Sequence, residues 1–195
     1  MTTKAIIVID MLNDFVTGAL ANPAGEAITP NIASLLSHAR SEGWMVIYAN
    51  DAHLPGDYEE KVWGPHALAG TPGADVIPEL EPQDGDIVLP KRFYSSFYET
   101  GLESILRQHG VEEVILTGQH TNICVRHTSS DAFNNGFEIS VPRDATAMFR
   151  TPDHSDAEYE RLQQDALDYL VNVYGASITT VEEVTSTRVR EAVTA

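Results

Sequence analysis

The chain has 195 residues, of which 43% are hydrophobic, so it can bury a sizeable core and is too apolar for a disordered segment. Its 29 Asp and Glu residues outnumber 12 Lys and Arg residues, giving a formal net charge of −17, which excludes the basic surface that nucleic acids and anionic membranes attract. A single cysteine excludes an intrachain disulfide framework and fits a reducing compartment, so we expect a cytoplasmic protein with no membrane span.

Short apolar runs alternate with amphipathic segments along the chain. In chain order, the predicted elements are strand 5–10, helix 29–42, strand 44–50, strand 86–91, helix 101–109, strand 112–118, helix 124–135, strand 137–142, helix 155–174 and strand 177–181. Thr29 is the predicted N-cap of the first helix, with Pro30 in its first turn and Gly43 as its terminator. The intervening stretch 51–85 is rich in Pro and Gly and is predicted to be irregular.

This alternation, with strands that are apolar throughout, predicts a parallel sheet covered on both faces. We therefore expect a three-layer, Rossmann-like α/β fold with a six-stranded, mostly parallel sheet, in a single domain over residues 1–195. Sheets of this kind place their ligands outside the carboxyl ends of the strands. No G-x-G-x-x-G follows the first strand, which disfavours nucleotide binding.

Three reactive residues stand at that edge of the predicted sheet. Asp10 ends the first strand, Lys91 ends the third, and Cys124 begins a helix shortly after the fourth. Each alone has a plainer interpretation, as a turn former, a solvated cation or a small buried thiol. Together they suit acyl transfer, because a helix N-terminus and an ammonium favour a thiolate and a carboxylate can move its proton. Backbone N–H groups of the 118–124 loop could hold the oxyanion.

Three segments resemble the isochorismatase-like cysteine hydrolases, the superfamily that includes nicotinamidases. They are D10-M-L-N-D-F15, P90-K91 and T117-G-Q-H-T-N-I-C124-V-R-H-T. The resemblance implies that Asp10 is the general base and acid, that Lys91 stabilises the ionised pair and that Cys124 is the nucleophile. It also implies a cis peptide bond between Gln119 and His120, with the N–H groups of His120 and Cys124 facing the oxyanion. His120 departs from the small residue often found at its position.

A second group of residues follows the second strand. Asp51 and His53 are two residues apart and point to the same side of an extended segment, and a loop could bring His66 to them. Two imidazoles and a carboxylate suit a divalent transition metal, although D-x-H is also common in loops that bind nothing. The W63-G-P-H66-A-L-A-G-T-P-G segment resembles the nicotinamidase metal site. The resemblance implies one metal ion, Zn²⁺ before Fe²⁺ or Mn²⁺, and Phe15 and Trp63 as walls for the substrate ring.

Together with this resemblance, the sequence predicts that the protein hydrolyses a small amide, nicotinamide, to nicotinate and ammonia through a Cys124 thioester. We also expect the protein to form a homo-oligomer. One alternative is a related cysteine hydrolase acting on an N-carbamoyl compound, a ureide or an isochorismatase-like substrate. Another, from a different class, is a catalytically silent domain that serves as an acidic partner protein; an unreactive Cys124 would distinguish it.

Overall fold

The computed structural model describes residues 3–186, and its centre is a parallel sheet. The strands are β1 (Lys4–Ile9), β2 (Met45–Asp51), β3 (Ile87–Lys91), β4 (Glu113–Gln119), β5 (Glu138–Pro142), β6 (Thr146–Ala147) and β7 (Ser177–Thr179). Their order is β3-β2-β1-β4-β5-β7, with the two-residue β6 added to the end of β4, and every pairing is parallel. This confirms the predicted α/β fold, with one short strand more than expected.

Helices cover both faces of the sheet because its strands are apolar on both sides. They are α1 (Asn13–Val16), α2 (Pro23–Ser41), α3 (Glu60–Trp63), α4 (Leu102–Gln108), α5 (Arg126–Asn134), α6 (Asp156–Tyr174) and α7 (Val181–Ser186). Alternate residues of β1 divide between two cores: Ile7 belongs to the cluster with α4, α5 and α6, and Ile6 to the cluster with α2 and α7. None of the helices within residues 3–186 is long and apolar enough to cross a membrane.

The predicted start of the first long helix is wrong. Helix α2 begins at Pro23, six residues earlier, and its N-cap is Asn22, whose side chain accepts a hydrogen bond from the Ala24 N–H at 3.3 Å. Pro30 therefore lies inside the helix rather than in its first turn, and the Thr29 hydroxyl donates to the Gly25 carbonyl instead of capping. Burial of one helix face against the sheet outweighs the hydrogen bond that an internal proline removes.

Two further boundaries differ from the prediction. Cys124 lies in a π-helical turn, Thr121–Val125, and α5 itself begins at Arg126. The last strand ends at Thr179, because the Asp144 carboxylate accepts the Val181 N–H at 2.9 Å and Val181 starts α7.

The carboxyl ends of β1 and β4 approach each other unusually closely. Gly118 has φ +97°, and a Cβ at that position would lie 2.0 Å from the Ile9 carbonyl oxygen, so only glycine fits. The next residue along β1, Asp10, has φ +53° and turns the chain away from the sheet. This turn leaves the Asp10 carboxylate at the sheet edge.

Candidate active site

Lys91 lies at the centre of a buried cluster at the carboxyl ends of β1, β2 and β3. Its Nζ is 2.8 Å from Asp10 Oδ2, 2.6 Å from Asp51 Oδ1 and 3.8 Å from Cys124 Sγ. Asp51 and Lys91 are register partners on adjacent strands, so their side chains leave the sheet on the same side. The structure thus brings together Asp10, Lys91 and Cys124, which the sequence placed at three separate strand ends.

The charges of this cluster bias its protonation. Burial raises the pKa of Asp10 to about 6, and repulsion from Asp51 adds to that rise against the attraction of Lys91. Burial opposes the charge on Lys91, but the two carboxylates prevail and raise its pKa well above the usual range. Lys91 is therefore a fixed cation between two carboxylates.

The thiol differs from the expectation based on its helix start. Burial raises the pKa of Cys124 well above its ordinary value, and repulsion from Asp10 and Asp51 adds to this rise against the lowering effect of Lys91. Cys124 therefore rests as a thiol and carries the proton that Asp10 must remove. A carboxylate oxygen of Asp10 lies within 4.8 Å of the sulfur, which makes Asp10 the candidate base for that proton.

A second cluster adjoins the first through Asp51. Ligand atoms of Asp51, His53, Glu59 and His66 all lie within 4.8 Å of one another, and all four residues are buried. Asp51 serves both clusters: one oxygen contacts Lys91, and the other lies 3.5 Å from His53 Nε2. The His53 and His66 rings are 4.7 Å apart between centroids.

The donor set of this second cluster fits a divalent metal ion. Both ring nitrogens of His53 are buried and make no hydrogen bond within the described residues, where the carboxylate oxygens of Asp51 and Asp57 lie 3.5 Å away. A buried nitrogen without a hydrogen bond costs free energy that a bound ligand would recover. His66 Nδ1 pairs with the Gly64 carbonyl at 2.7 Å, which leaves Nε2 as its ligating atom. Two imidazoles with carboxylates suit Zn²⁺, Fe²⁺ or Mn²⁺.

Glu59 is the member of this cluster that the sequence analysis missed. Its Oε2 lies 3.8 Å from His53 Nε2, and burial together with repulsion from Asp51 raises its pKa to about 7. In the sequence it stands beside Glu60 in an irregular stretch, and no spacing pattern separates the two. Only the short helix α3, which begins at Glu60, fixes which carboxylate turns inward.

The segment that carries His66 is held from both sides. The His53 N–H donates to the Ala67 carbonyl at 2.9 Å, and His53 forms an isolated parallel bridge with Leu68. On the other side, the Asp14 carboxylate accepts the Ala67 N–H at 2.8 Å. These contacts bring His66 close to His53, although His66 lies 13 positions further along the chain.

One cavity joins the thiol to the metal-ligand cluster. Its wall contains Cys124 at one place and Asp51, Glu59 and His66 at another. The rest of the wall is mostly apolar or aromatic and is formed by Phe15, Leu20, Trp63, Tyr94, His120, Ile123 and Phe149. Phe15 and Trp63 both line this cavity, and Phe149, which the sequence analysis did not single out, lines it as well. Trp63 Nε1 donates to the Tyr94 hydroxyl at 3.2 Å.

The loop between β4 and the π-helical turn also has the backbone that the resemblance implied. The Gln119–His120 peptide bond is cis. His120 lines the cavity together with Cys124, so the two residues implied as oxyanion donors lie at the same wall.

Fold and site together define an α/β protein with a buried Asp–Lys–Cys cluster beside a metal-ligand cluster at the carboxyl edge of a parallel sheet. The chain matches the isochorismatase domain family over residues 4–182 and belongs to that family of hydrolases. It is 36% identical to the nicotinamidase/pyrazinamidase of Mycobacterium tuberculosis over 162 residues, which cover 74% of this chain and 86% of the relative.

Two solved structures are also similar. N-carbamoylsarcosine amidase from Thermoplasma acidophilum superposes with a TM-score of 0.84 at 37% identity, covering 93% of this chain and 98% of the other. Pyrazinamidase of Pyrococcus horikoshii in complex with zinc gives a TM-score of 0.79 at 29% identity, covering 91% and 98%. These relatives act on different amides, so the family by itself does not fix the substrate.

Proposed function

We propose that this protein hydrolyses nicotinamide to nicotinate and ammonia through a thioester on Cys124. The observation that carries the proposal is one cavity whose wall contains both the thiol and three members of the metal-ligand cluster, Asp51, Glu59 and His66. A flat heteroaromatic amide can present its carboxamide to Cys124 and its ring nitrogen to the metal ligands. The aromatic side chains Phe15 and Trp63 suit the burial of such a ring.

The first half-reaction forms the thioester. Asp10 takes the thiol proton, and the sulfur of Cys124 attacks the carboxamide carbon, whose oxygen becomes an oxyanion facing the N–H groups of His120 and Cys124. As the tetrahedral intermediate collapses, Asp10 gives its proton to the nitrogen, the C–N bond breaks and ammonia leaves. Lys91 stays protonated throughout and stabilises whichever of its neighbours is negatively charged.

The second half-reaction releases the acid. Asp10 removes a proton from water, the water oxygen attacks the thioester carbon, and the C–S bond breaks to give nicotinic acid, which loses its remaining acidic proton to solvent as nicotinate. The proton held by Asp10 returns to sulfur and restores the resting thiol. One carboxylate therefore moves the protons of both steps, and a pKa near 6 leaves it mostly ionised at neutral pH.

We assign Asp51, His53, Glu59 and His66 as the residues that would hold the metal ion, with Zn²⁺ as the first candidate. When bound, the ion supplies a Lewis-acid contact that orients the ring nitrogen of the substrate. Asp51 connects this contact to catalysis, because its second oxygen holds Lys91. The protein groups thus fix the ring at one end of the cavity and the carboxamide at the other.

The charged side chains of the cavity wall are carboxylates, which favours a neutral substrate such as nicotinamide. Some N-carbamoyl compounds, the substrates of the alternative function, carry a free carboxylate and are anionic. Among the residues that the structure describes, no arginine or lysine lines the cavity wall. Lys91 lies behind the wall and is already paired with two carboxylates. A substrate with a free carboxylate would therefore lack a cationic side chain, whereas a neutral ring would not need one.

The direct test measures ammonia release from nicotinamide, benzamide and N-carbamoylsarcosine, with and without a chelator. We expect nicotinamide to be preferred, and His66→Ala or the chelator to reduce its turnover strongly. Benzamide has the same carboxamide without the ring nitrogen, so it should be poor and little affected by His66→Ala. The exposed His109 provides the control, His109→Ala. Full activity on nicotinamide in chelator, with no metal in the purified protein, would overturn the metal assignment and favour the N-carbamoyl alternative.

A further inference from the structure

His120 is a buried imidazole in the cavity wall to which the reaction above gives no side-chain role. It follows the end of β4, only 7% of its surface is exposed, and it lines the same cavity as Cys124. Its ring is held edge-on between Phe15, at 5.6 Å, and Phe149, at 5.5 Å between centroids. These contacts fix the plane of the imidazole without giving Nε2 a hydrogen-bond partner.

The Nε2 atom of this ring is buried and has no hydrogen-bond partner among the described residues. Leaving such an atom unpaired costs about 1–3 kcal/mol, so a partner from the ligand would recover free energy on binding. Burial lowers the pKa of His120 to about 4, with Lys91 and His66 adding to the effect of burial against the attraction of Asp51. At neutral pH the ring is uncharged and can donate or accept a single directed hydrogen bond.

Two other polar groups in the same wall already have partners. Trp63 Nε1 donates to Tyr94, and His66 Nδ1 pairs with the Gly64 carbonyl. The carboxylates of the wall belong to the metal-ligand cluster. His120 is therefore a polar contact still available to a neutral substrate in this cavity.

We propose that His120 is a specificity-determining residue whose Nε2 hydrogen-bonds a polar substituent on the ring of the amide. This proposal rests on the proposed function and narrows the substrate class. The preferred substrates are nicotinamide-like amides that carry a small hydroxyl or amino group on the ring edge facing His120. An apolar substituent of the same size would leave Nε2 unpaired, and it is selected against.

The experiment uses the metal-loaded full-length protein and pairs of ring-substituted nicotinamides, amino against methyl, at each free ring carbon. We expect one position at which the wild type prefers the amino compound over the methyl compound by about tenfold or more in kcat/KM. His120→Phe keeps a ring of similar shape and removes the nitrogen, so it should abolish that preference. His120→Asn keeps a polar group and should restore part of it. Absence of a preference at every position, or its persistence in His120→Phe, would overturn the proposal.

Two readouts separate this proposal from the proposed function. Metal content and the rate of Cys124 alkylation by iodoacetamide should be the same in His120→Phe and the wild type, which excludes a general disturbance of the site. If the wild type cleaves none of the nicotinamides, the proposed function fails, and the same pairs are then tested for protection of Cys124 against alkylation. Stronger protection by the amino member that disappears in His120→Phe would support the role of His120, and equal or no protection would overturn it.

Discussion

At the scale of single residues, the site depends on one buried ammonium that contacts three partners. Lys91 lies within 4 Å of Asp10, Asp51 and Cys124, and only 2% of its surface is exposed. Burying a cation is costly unless it is paired, and here two carboxylates satisfy it. Asp51 also links Lys91 to the metal ligands, because its other carboxylate oxygen faces His53. Catalysis and substrate orientation thus share a side chain.

Removing the ammonium tests this arrangement. In Lys91→Ala the two carboxylates face each other unpaired, so we expect a higher Cys124 pKa and a loss of turnover of about 100-fold or more, because the cation lowers the pKa of the thiol. Breaking a buried pair also costs about 3–5 kcal/mol of stability. The measurements are ammonia release, the pH dependence of iodoacetamide alkylation and urea unfolding. The exposed Lys61 gives the control Lys61→Ala. Unchanged alkylation in Lys91→Ala would show that the ammonium does not act on the thiol.

The raised pKa of Asp10 predicts the acid limb of the pH profile. A general base must be ionised, and burial with repulsion from Asp51 raises the pKa of Asp10 to about 6. The rate kcat/KM for nicotinamide should therefore be high above pH 6 and fall about tenfold per pH unit below it. Asp10→Asn should be inactive at every pH while it still binds metal. An acid limb that persisted in an active Asp10→Asn enzyme would place the base elsewhere.

At the scale of elements, the apolar strands were predictable and the loop between β2 and β3 was not. Strands β1, β2 and β4 are buried along nearly their whole length, so their sequence runs identify them directly. The sequence analysis placed the start of α2 six residues too late, because Thr29-Pro30 has the composition of a helix start. The true start, Asn22-Pro23, is followed by a first turn that contains a glycine.

The residues of the candidate site likewise divide into those that the sequence predicted and those that it did not. Residues at strand ends, such as Asp10 and Lys91, could be found because a parallel sheet gathers its carboxyl ends at one edge. Glu59 and Phe149 could not, because they reach the cavity through tertiary contacts that no local spacing encodes. Long-range hydrogen bonds hold this loop, among them the one that the Ala67 N–H donates to the Asp14 carboxylate.

That hydrogen bond gives a prediction at the element scale. Asp14 touches neither the thiol nor the metal ligands, yet it holds the residue after His66, so Asp14→Ala should weaken metal binding about 10–100-fold. Cys124 alkylation should be unchanged, because β4 and the π-helical turn do not depend on the loop. Asp14→Asn, which keeps an acceptor oxygen, should recover part of the metal affinity. Asp75→Ala removes an exposed carboxylate from the same loop and is the control. Equal metal affinity in Asp14→Ala and Asp75→Ala would contradict this role.

At the scale of the whole molecule, the metal ligands come from the end of β2 and from the long loop that follows it. A bound ion would therefore link this loop to the edge of the sheet. The net charge of −17 adds to the repulsion that a cation in this cluster would relieve. Whether the chain forms a homo-oligomer, and whether residues 1–195 act as one domain, stay predictions.

Metal removal should therefore destabilise the protein as well as inactivate it. An ion present at about 100 times its Kd contributes about 2.7 kcal/mol, which corresponds to a Tm shift of about 5–10 °C for a chain of this length. We expect a chelator to lower the Tm of the wild type by that amount and that of His53→Ala very little. The measurement is calorimetry with added Zn²⁺ or chelator. A wild-type Tm insensitive to both would argue against a metal that bridges the loop and the sheet.

The most direct test of the proposed chemistry is rapid-quench mass spectrometry of the intact protein mixed with nicotinamide. We expect a nicotinoyl group on Cys124 that forms before the steady state and decays as nicotinate appears, because the thioester lies between the two half-reactions. Cys124→Ala should fold, bind metal, carry no adduct and release no ammonia, and Cys124→Ser should be nearly as inactive. Formation of nicotinate by Cys124→Ala at a rate near that of the wild type would contradict the thioester mechanism.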